Sequence, residues 1–181
     1  MLLNIFQEPV FYIGVGIGIV IIIGIVLFFV ISAPVANKGG WASELIKKLN
    51  ENNIEYKFDN SNNNIYDYKL TIGEKIYLVK LLGIPSYAEV QINNVTTWEV
   101  KYGAGKNPSK VQPFKKYVHG IESFMNYKPD DNSIRVVVLS PNAKKITKYI
   151  NECEIVFVTP KTNVYGIRVI NEDDHSLFIR K

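Results

Sequence analysis

Lysine and arginine are absent from the first 37 residues of this chain, although 21 of them follow. Acidic residues are also missing between Pro9 and Asn37. An α-helix rises about 1.5 Å per residue and the hydrocarbon core of a bilayer is about 30 Å thick, so the 22 uncharged residues from Val10 to Ile31 are enough to cross a membrane. A cleaved signal peptide would begin with basic residues and carry a shorter apolar run. The sequence therefore predicts a transmembrane helix at 10–32.

The charges on the two sides of this helix predict its orientation. Lysine and arginine accumulate on the cytoplasmic side of membrane proteins, and here all of them, beginning with Lys38, follow the helix. We therefore expect a single-pass protein of the cell membrane, with residues 1–9 outside and the C-terminal domain in the cytoplasm. The chain has one cysteine, Cys153, and so cannot form an internal disulfide, which agrees with a reducing compartment.

Two glycines four residues apart, Gly14 and Gly18, lie in the predicted helix. Such a pair of small residues lets two transmembrane helices approach closely and would give a homodimer, although glycine is also common in these helices without pairing. After the helix, the turn-forming run Asn37-Lys38-Gly39-Gly40 predicts a hinge at 33–40. The remaining residues, 41–181, have the usual size of one domain.

The pattern of this domain predicts an α/β fold of the α+β type with one mixed sheet. Helical spacing of apolar residues indicates three helices, at Ser43–Asn52, Val111–Met125 and Ala143–Ile150. Runs rich in β-branched and aromatic residues indicate strands at Ile54–Phe58, Ile65–Ile72, Lys75–Leu82, Tyr87–Ile92, Val95–Tyr102, Ile134–Leu139 and Glu154–Val158, the last two buried. A final strand is expected near Tyr165–Ile170, with a further one at Leu177–Arg180.

One predicted strand carries a carboxylate and an ammonium group on the same face. Side chains alternate along a strand, so Glu99 and Lys101 point to one side of the strand and Trp98 to the other. A carboxylate can bind Mg²⁺ while a lysine orients or deprotonates the attacking water, which suits metal-assisted hydrolysis of a phosphodiester. The alternative is an ordinary salt bridge on a half-exposed strand.

The order of elements around this Glu-x-Lys strand, and the residues after it, resemble a known family. Gly103, the pair Asn107-Pro108 and Gln112 follow the strand. In this respect the chain, over about Ser43 to Leu139, is similar to the PD-(D/E)xK nuclease superfamily, and nearest to its membrane-tethered nuclease-related domains. The resemblance implies a restriction-endonuclease-like fold and an Mg²⁺-dependent nuclease.

The resemblance also implies roles for individual residues. The catalytic residues would be Glu99, Lys101 and Gln112, and the metal ligands would be Glu44, Glu89 and Glu99. Gln91 occupies the position of the family's aspartate, and a neutral amide binds a hard cation less strongly than a carboxylate does. Glu89 can replace it only if the turn at Asn93-Asn94 holds one extra residue or a bulge, which would bring Glu89 to the face of Glu99. Asp67 is a more distant candidate.

A basic segment adjoins the predicted site. Between Lys101 and Lys116 there are five lysines and no acid, and we expect nucleic acid to be bound by Lys106, Lys110, Lys115 and Lys116. Such a strip attracts the phosphate backbone of DNA or RNA, or anionic lipid headgroups near the anchor. The alternative function is therefore a non-catalytic, membrane-anchored α/β module with a binding or structural role. Two histidines and one cysteine give no zinc-binding pattern.

Overall fold

The computed structural model describes residues 9–31, 36–61, 63–102, 114–118, 121–151 and 154–179. For residues 102 and 114–117 it describes the backbone. The chain divides into two compact units, Met1–Pro34 and Val35–Lys181. Among the described residues, the first unit contains one helix, and the second contains all the strands and the other helices.

The first unit is the helix α1, which spans the 23 residues Pro9–Ile31 and has no acidic residue in its first turn and no basic residue in its last. The structure therefore has a helix over 10–31 of the range predicted at 10–32, and residue 32 lies outside the described residues. Its side chains are described at Ile13 and from Val15 to Ile25, and the large apolar ones among them are exposed. Judged on the described residues, no helix of the protein is long and apolar enough to cross a membrane. Insertion of α1 into a bilayer stays a prediction.

The second unit contains three helices and ten strands in its described residues. The helices are α2 (Lys38–Glu51), α3 (Glu122–Asn126) and α4 (Ser176–Ile179). The strands are β1 (Lys57–Asn60), β2 (Tyr68–Ile72), β3 (Lys75–Gly83), β4 (Glu89–Ile92), β5 (Trp98–Tyr102), β6 (Phe114–Tyr117), β7 (Ser133–Ser140), β8 (Lys145–Asn151), β9 (Glu154–Phe157) and β10 (Ile167–Asn171).

The strands form two five-stranded mixed sheets. Sheet A has the order β1-β2-β3-β7-β10, with antiparallel pairs up to β3 and parallel pairs from β3 to β10. Sheet B has the order β6-β5-β4-β8-β9, in which β4 and β8 are parallel and the other pairs antiparallel. The predicted α+β class with a mixed sheet is confirmed, but the domain has two sheets where one was predicted.

Sheet A separates two apolar clusters because successive side chains of a strand point to opposite faces. On one face, Tyr77 and Val79 of β3 pack with residues of α2 and α4, namely Trp41, Leu45, Leu49 and Phe178. On the other face, Leu78 and Leu82 of β3 pack with α3 and with sheet B, through Phe124, Val90, Ile92, Trp98 and Val100. The layers are therefore α2 with α4, then sheet A, then sheet B.

The same two chain segments build the centre of both sheets. β3 and β7 are parallel neighbours in sheet A, and their continuations β4 and β8 are parallel neighbours in sheet B. The bends between them are held by two backbone hydrogen bonds, since Ile84 N donates to Ser140 O at 2.9 Å and Lys144 N donates to Ala88 O at 2.8 Å. This arrangement places the hairpin of β4 and β5 over sheet A.

Two of the predicted helices are strands. The Val111–Met125 prediction is wrong, because β6 occupies Phe114–Tyr117 and only the short α3 follows. Pairing with β5 supplies the backbone hydrogen bonds of β6. This pairing outweighs the helical pattern, in which apolar residues recur every three or four positions. The Ala143–Ile150 prediction is also wrong. Its β-branched residues favour a strand, and pairing with β4 on one side and β9 on the other gives β8.

Three smaller differences concern element ends and burial. The residues predicted as a strand at Leu177–Arg180 begin in α4, which follows a turn in which Ser176 N donates to Asp174 Oδ1. β9 is exposed rather than buried, because it is an edge strand of sheet B. The helix α2 begins inside the predicted hinge, where Asn37 Oδ1 accepts a hydrogen bond from Gly40 N at 3.1 Å and so caps the helix.

Candidate functional site

The hairpin of β4 and β5 brings the predicted site residues together. In its register Gln91 lies opposite Glu99, and Glu89 lies opposite Lys101. Directly opposite residues of an antiparallel pair share a face, so all four side chains project from the same side of sheet B. The alternate residues, such as Val90 and Val100, are buried against sheet A. We call the side that carries Glu89, Gln91, Glu99 and Lys101 the polar face.

The loop between the two strands explains why Glu89 lies on this face. Ile92 pairs with Trp98, so the loop contains five residues, 93–97. A two-residue turn would have shifted the register by an odd number and turned Glu89 to the opposite side. Backbone hydrogen bonds from Asn93 N and Asn94 N to Thr97 O hold the loop at 3.0 and 3.4 Å. The loop has three more residues than a two-residue turn, where the sequence analysis considered one extra residue or a bulge. Because three is also an odd number, Glu89 lies on the face of Glu99.

The polar face is connected by a chain of side-chain hydrogen bonds. Lys101 Nζ donates to Gln91 Oε1 at 2.7 Å, and Gln91 Nε2 donates to Asn93 Oδ1 at 2.8 Å. Asn93 Nδ2 then donates to Glu99 Oε1 at 3.1 Å. The lysine and the glutamate that the sequence paired are thus joined through two amides. Asn93 was not predicted as a site residue, because nothing in the local pattern shows which way a loop amide will point.

Glu89 lies beside basic residues rather than beside a second acid. Its Oε1 lies 3.9 Å from Lys144 Nζ, and in register it is flanked by Lys101 on β5 and Lys145 on β8. Glu89 and Glu99 are diagonal neighbours across the hairpin, a relation in which Cα atoms are about 7–8 Å apart. These two carboxylates are the acids that the polar face offers to a cation.

The other predicted metal ligands lie on different elements. Glu44 is an exposed residue of α2, where its Oε1 lies 3.0 Å from Lys48 Nζ, and the hydrogen bond with Lys48 lowers the pKa of Glu44. Asp67 directly precedes β2 in sheet A and accepts hydrogen bonds from Leu81 N at 2.7 Å and from Lys38 Nζ at 2.5 Å. Both carboxylates therefore contact other residues. Glu44 lies on α2, which packs on the side of sheet A away from sheet B, so it is separated from Glu99.

The capacity of the described residues for metal follows from these positions. Across the described ranges, no three side chains of His, Cys, Asp or Glu are grouped so that they could hold a metal ion. Mg²⁺ nevertheless often takes only one or two carboxylates and fills its other positions with water and substrate phosphates. Glu89 and Glu99 match that smaller demand, so Mg²⁺ at the polar face stays a prediction.

Part of the predicted site lies outside the described residues. This applies to Lys106, Lys110 and Gln112. The backbone of β6 carries Lys115 opposite Lys101, with Lys116 next to it. Two predicted nucleic-acid-binding lysines therefore belong to the strand that borders the polar face. Their expected position on a helix is wrong, since the segment is β6.

His175 is a buried core residue rather than part of the polar face. Its ring stacks on Trp41 with centroids 6.3 Å apart, and its Nδ1 lies 3.1 Å from Lys48 Nζ and 2.9 Å from Asp173 O. Its Nε2 is buried without a hydrogen-bond partner. The histidine therefore contributes to the packing of α2 and α4. The other histidine, His119, and Cys153 lie outside the described residues.

Comparison of the chain with protein-family models, with curated proteins and with solved structures found no match.

Proposed function

We propose that this chain is a membrane-anchored, nuclease-like domain that binds nucleic acid at the polar face of sheet B. In its full form the proposal includes hydrolysis of phosphodiesters with Mg²⁺ and a restriction-endonuclease-like assignment of the domain. The observation that carries it is the convergence of Glu99, Lys101, Glu89 and Gln91 on one side of the β4–β5 hairpin. The proposal places α1 across the cell membrane, with its N-terminus outside and the domain in the cytoplasm.

Charge and position favour nucleic acid as the partner. Lys101 projects from the polar face, and in the register of β5 and β6 Lys115 lies opposite it, whereas Lys116 lies opposite Val100, a residue of the buried face. The chain as a whole has a net charge of +4. A phosphate backbone crossing from β5 to β6 on the polar face would meet Lys101 and then Lys115, and its binding should weaken as salt rises.

Hydrolysis is the more demanding part of the proposal. Glu99 and Glu89 would hold Mg²⁺, which would polarise the scissile phosphate and lower the pKa of a bound water. Lys101 would orient that water or stabilise the charge that develops on the phosphate. For this to occur, Lys101 must exchange its hydrogen bond with Gln91 Oε1 for one with the substrate or water, which needs only a rotation of its flexible side chain.

A second candidate is a non-catalytic binding module. It is favoured by the hydrogen bond of 2.7 Å between Lys101 Nζ and Gln91 Oε1, because an amide stands where the resemblance implies an aspartate. The amides of Gln91 and Asn93 satisfy Lys101 and Glu99 without a cation. Binding of nucleic acid is common to both candidates, and only the metal-dependent step separates them.

The test compares cleavage and binding by the full chain in uncharged detergent. Lys101→Met and Glu99→Gln remove the two central groups, and Lys128→Met and Glu74→Gln are matched controls at exposed positions in loops and turns. With Mg²⁺ or Mn²⁺, the wild type should cut single- or double-stranded DNA or RNA, and the two site variants should lose at least 100-fold in rate, the usual scale for removing a catalytic group. Both controls should retain the rate.

The outcomes separate the two candidates. Salt-dependent binding that Lys101→Met weakens, without any metal-dependent cutting, would identify the non-catalytic module. Cutting that persists in both site variants would show that it arises elsewhere, and absence of binding altogether would remove nucleic acid as the partner.

Membrane insertion is tested separately, by extraction at alkaline pH. Pairing through Gly14 and Gly18 is tested by crosslinking the wild type and the Gly14→Ile variant.

A further inference from the structure

A cavity of about 290 Å³ opens on sheet A, on the face that also packs against α2 and α4. It lies at the start of the parallel strands β3, β7 and β10, which contribute Lys75 and Tyr77, Ile134, and Arg168. These residues share one face, because Tyr77 pairs with Ile134 and Arg168 pairs with Val136 of the buried cluster. We call this cavity the basic pocket.

Three cationic side chains from three separate segments line the basic pocket. Lys75 begins β3, Arg168 lies on β10, and Lys161 lies in the turn before β10. Among the residues that the structure describes, no carboxylate lines the pocket, and none of the three cations makes an ion pair with another of these residues. Bringing like charges together without an acid is unfavourable in the free protein, and an anion in the cavity would offset that repulsion.

A hydrogen bond connects Arg168 to the turn that carries Lys161. Arg168 Nη1 donates a hydrogen bond to Lys161 O, which ties the turn to the strand and leaves the other N–H groups of the guanidinium for a ligand. The turn itself is closed by Thr162 N donating to Thr159 O at 2.8 Å and by Thr159 N donating to Thr162 Oγ1 at 2.9 Å. The positions of Lys161 and Arg168 are therefore coupled.

The rest of the wall is largely apolar. Besides Ser176, it is formed by Tyr77, Ile134, Pro160 and Leu177. The Tyr77 ring is buried and meets the Phe178 ring edge-on, with centroids 5.2 Å apart. A cavity of this size is at the lower end of the range for small-molecule sites, which combine an apolar wall with a few convergent polar groups. It fits a phosphate group with a small organic part.

We propose that the basic pocket binds the phosphate monoester group of a small organic molecule through Lys75, Lys161 and Arg168. Arg168 provides planar, paired N–H donors that match two phosphate oxygens, and the lysines provide point charges on either side. The apolar wall receives the organic part. The same chemistry is offered by a soluble phosphorylated metabolite and by the headgroup of a phosphate monoester lipid.

The test is calorimetric titration of the full chain in uncharged detergent, with glycerol 3-phosphate as the soluble probe and mixed micelles containing phosphatidic acid as the lipid probe. We expect saturable binding of one probe, weakened about tenfold by each of Lys75→Gln, Lys161→Gln and Arg168→Gln, since one hydrogen bond to a charged group is worth about a factor of ten. Lys128→Gln changes the net charge equally outside the pocket and should leave binding unchanged. Thermal melting of each variant shows that the fold is retained.

The two probes distinguish the source of the ligand. Binding of glycerol 3-phosphate indicates a soluble monoester, and binding of phosphatidic acid alone indicates a lipid, with the same dependence on the three cations in either case. The proposal is overturned if neither probe binds, if the three variants bind as the wild type does, or if Lys128→Gln weakens binding as much as they do. It is also overturned if the three variants weaken binding of nucleic acid only.

Discussion

Arg135 is the residue whose replacement tests the attachment of α3 to sheet A most directly. It lies on β7, and its Nη1 donates to three carbonyls at the end of α3: to Phe124 O at 3.2 Å, Met125 O at 2.6 Å and Tyr127 O at 2.9 Å. The last carbonyls of a helix have no partner within it. Burial lowers the pKa of Arg135, but a guanidinium stays charged even so.

We expect Arg135→Met to destabilise the second unit by about 3 kcal/mol. Methionine keeps an unbranched apolar side chain but removes every donor, so the three carbonyls lose their partner. Each hydrogen bond to a charged group contributes about 1.5–3 kcal/mol. The three hydrogen bonds share one nitrogen, and burial of the guanidinium is itself unfavourable. The sum of three full contributions would therefore overestimate the loss in free energy of unfolding. For a domain of this size the loss corresponds to a fall in Tm of about 10 °C.

Urea unfolding followed by tryptophan fluorescence measures this loss. Both tryptophans, Trp41 and Trp98, are buried in the second unit, so the signal reports on that unit. The midpoint should fall while the slope of free energy against urea stays the same. Arg135→Lys, which keeps a charge and up to three donors, should fall between wild type and Arg135→Met. Exposed Lys128→Met should stay within about 0.5 kcal/mol. A loss below about 1 kcal/mol for Arg135→Met, or equal losses for Lys and Met, would refute the reasoning.

Two further predictions concern carboxylates outside the polar face. Asp67→Ala should cost about 2–3 kcal/mol in urea unfolding, because it leaves Leu81 N without an acceptor and removes the pair with Lys38; Asp67→Asn, which keeps one acceptor oxygen, should cost less, and equal costs would contradict this role. The hydrogen bond with Lys48 lowers the pKa of Glu44 in the folded state, so its contribution to stability is present above the unfolded value of about 4.3 and is lost as pH falls through the folded value. Glu44→Gln should therefore be less stable than wild type by a few tenths of a kcal/mol at neutral pH and equal to it in strong acid, and a difference that persists there would show a cause other than ionisation.

Most strands were predictable because burial demands a composition that can be recognised. β3 and β7 are runs of Val, Leu and Ile that lie buried between two layers, and such runs favour strands. β6 and β8 could not be predicted as strands. The spacing of their apolar residues also matches a helix, and only pairing with β5 and β4 decides between helix and strand. Local spacing carries no information about a partner strand that is distant in the sequence.

The division into two sheets depends on short connections that the sequence does not mark. Five residues, 84–88, join β3 to β4, and four, 141–144, join β7 to β8. Because the two connections differ in length by one residue, the alternation of inward and outward side chains continues unchanged from β3 to β4 but shifts by one residue from β7 to β8. In β7 the odd-numbered Val137 and Leu139 belong to the cluster between the sheets, whereas in β8 it is the even-numbered Ile146. A shift of one residue reverses the faces of a strand, so the sheet that a segment joins cannot be predicted from its composition.

The polar face was predictable in part for the same reason. Alternation along β5 was enough to place Glu99 and Lys101 together. The position of Glu89 depended on the length of the 93–97 loop. The basic pocket gave no local signal, since Lys75 is far from Lys161 and Arg168 in the chain and reaches them only through the parallel order of β3, β7 and β10.

The layer order places the polar face and the basic pocket, the two proposed binding sites, on opposite sides of the domain. The polar face lies on the side of sheet B away from sheet A, and the pocket lies on the side of sheet A away from sheet B. Packed sheets are about 10 Å apart, so the two sites are separated by at least that distance and share no residue. Effects of substitutions at such separations usually add. Arg168→Gln and Lys101→Met should therefore change phosphate and nucleic-acid binding separately, and additively in the double variant. Competition between the two ligands would mean that they meet on one surface, which the placement of sheet A between the two sites does not allow.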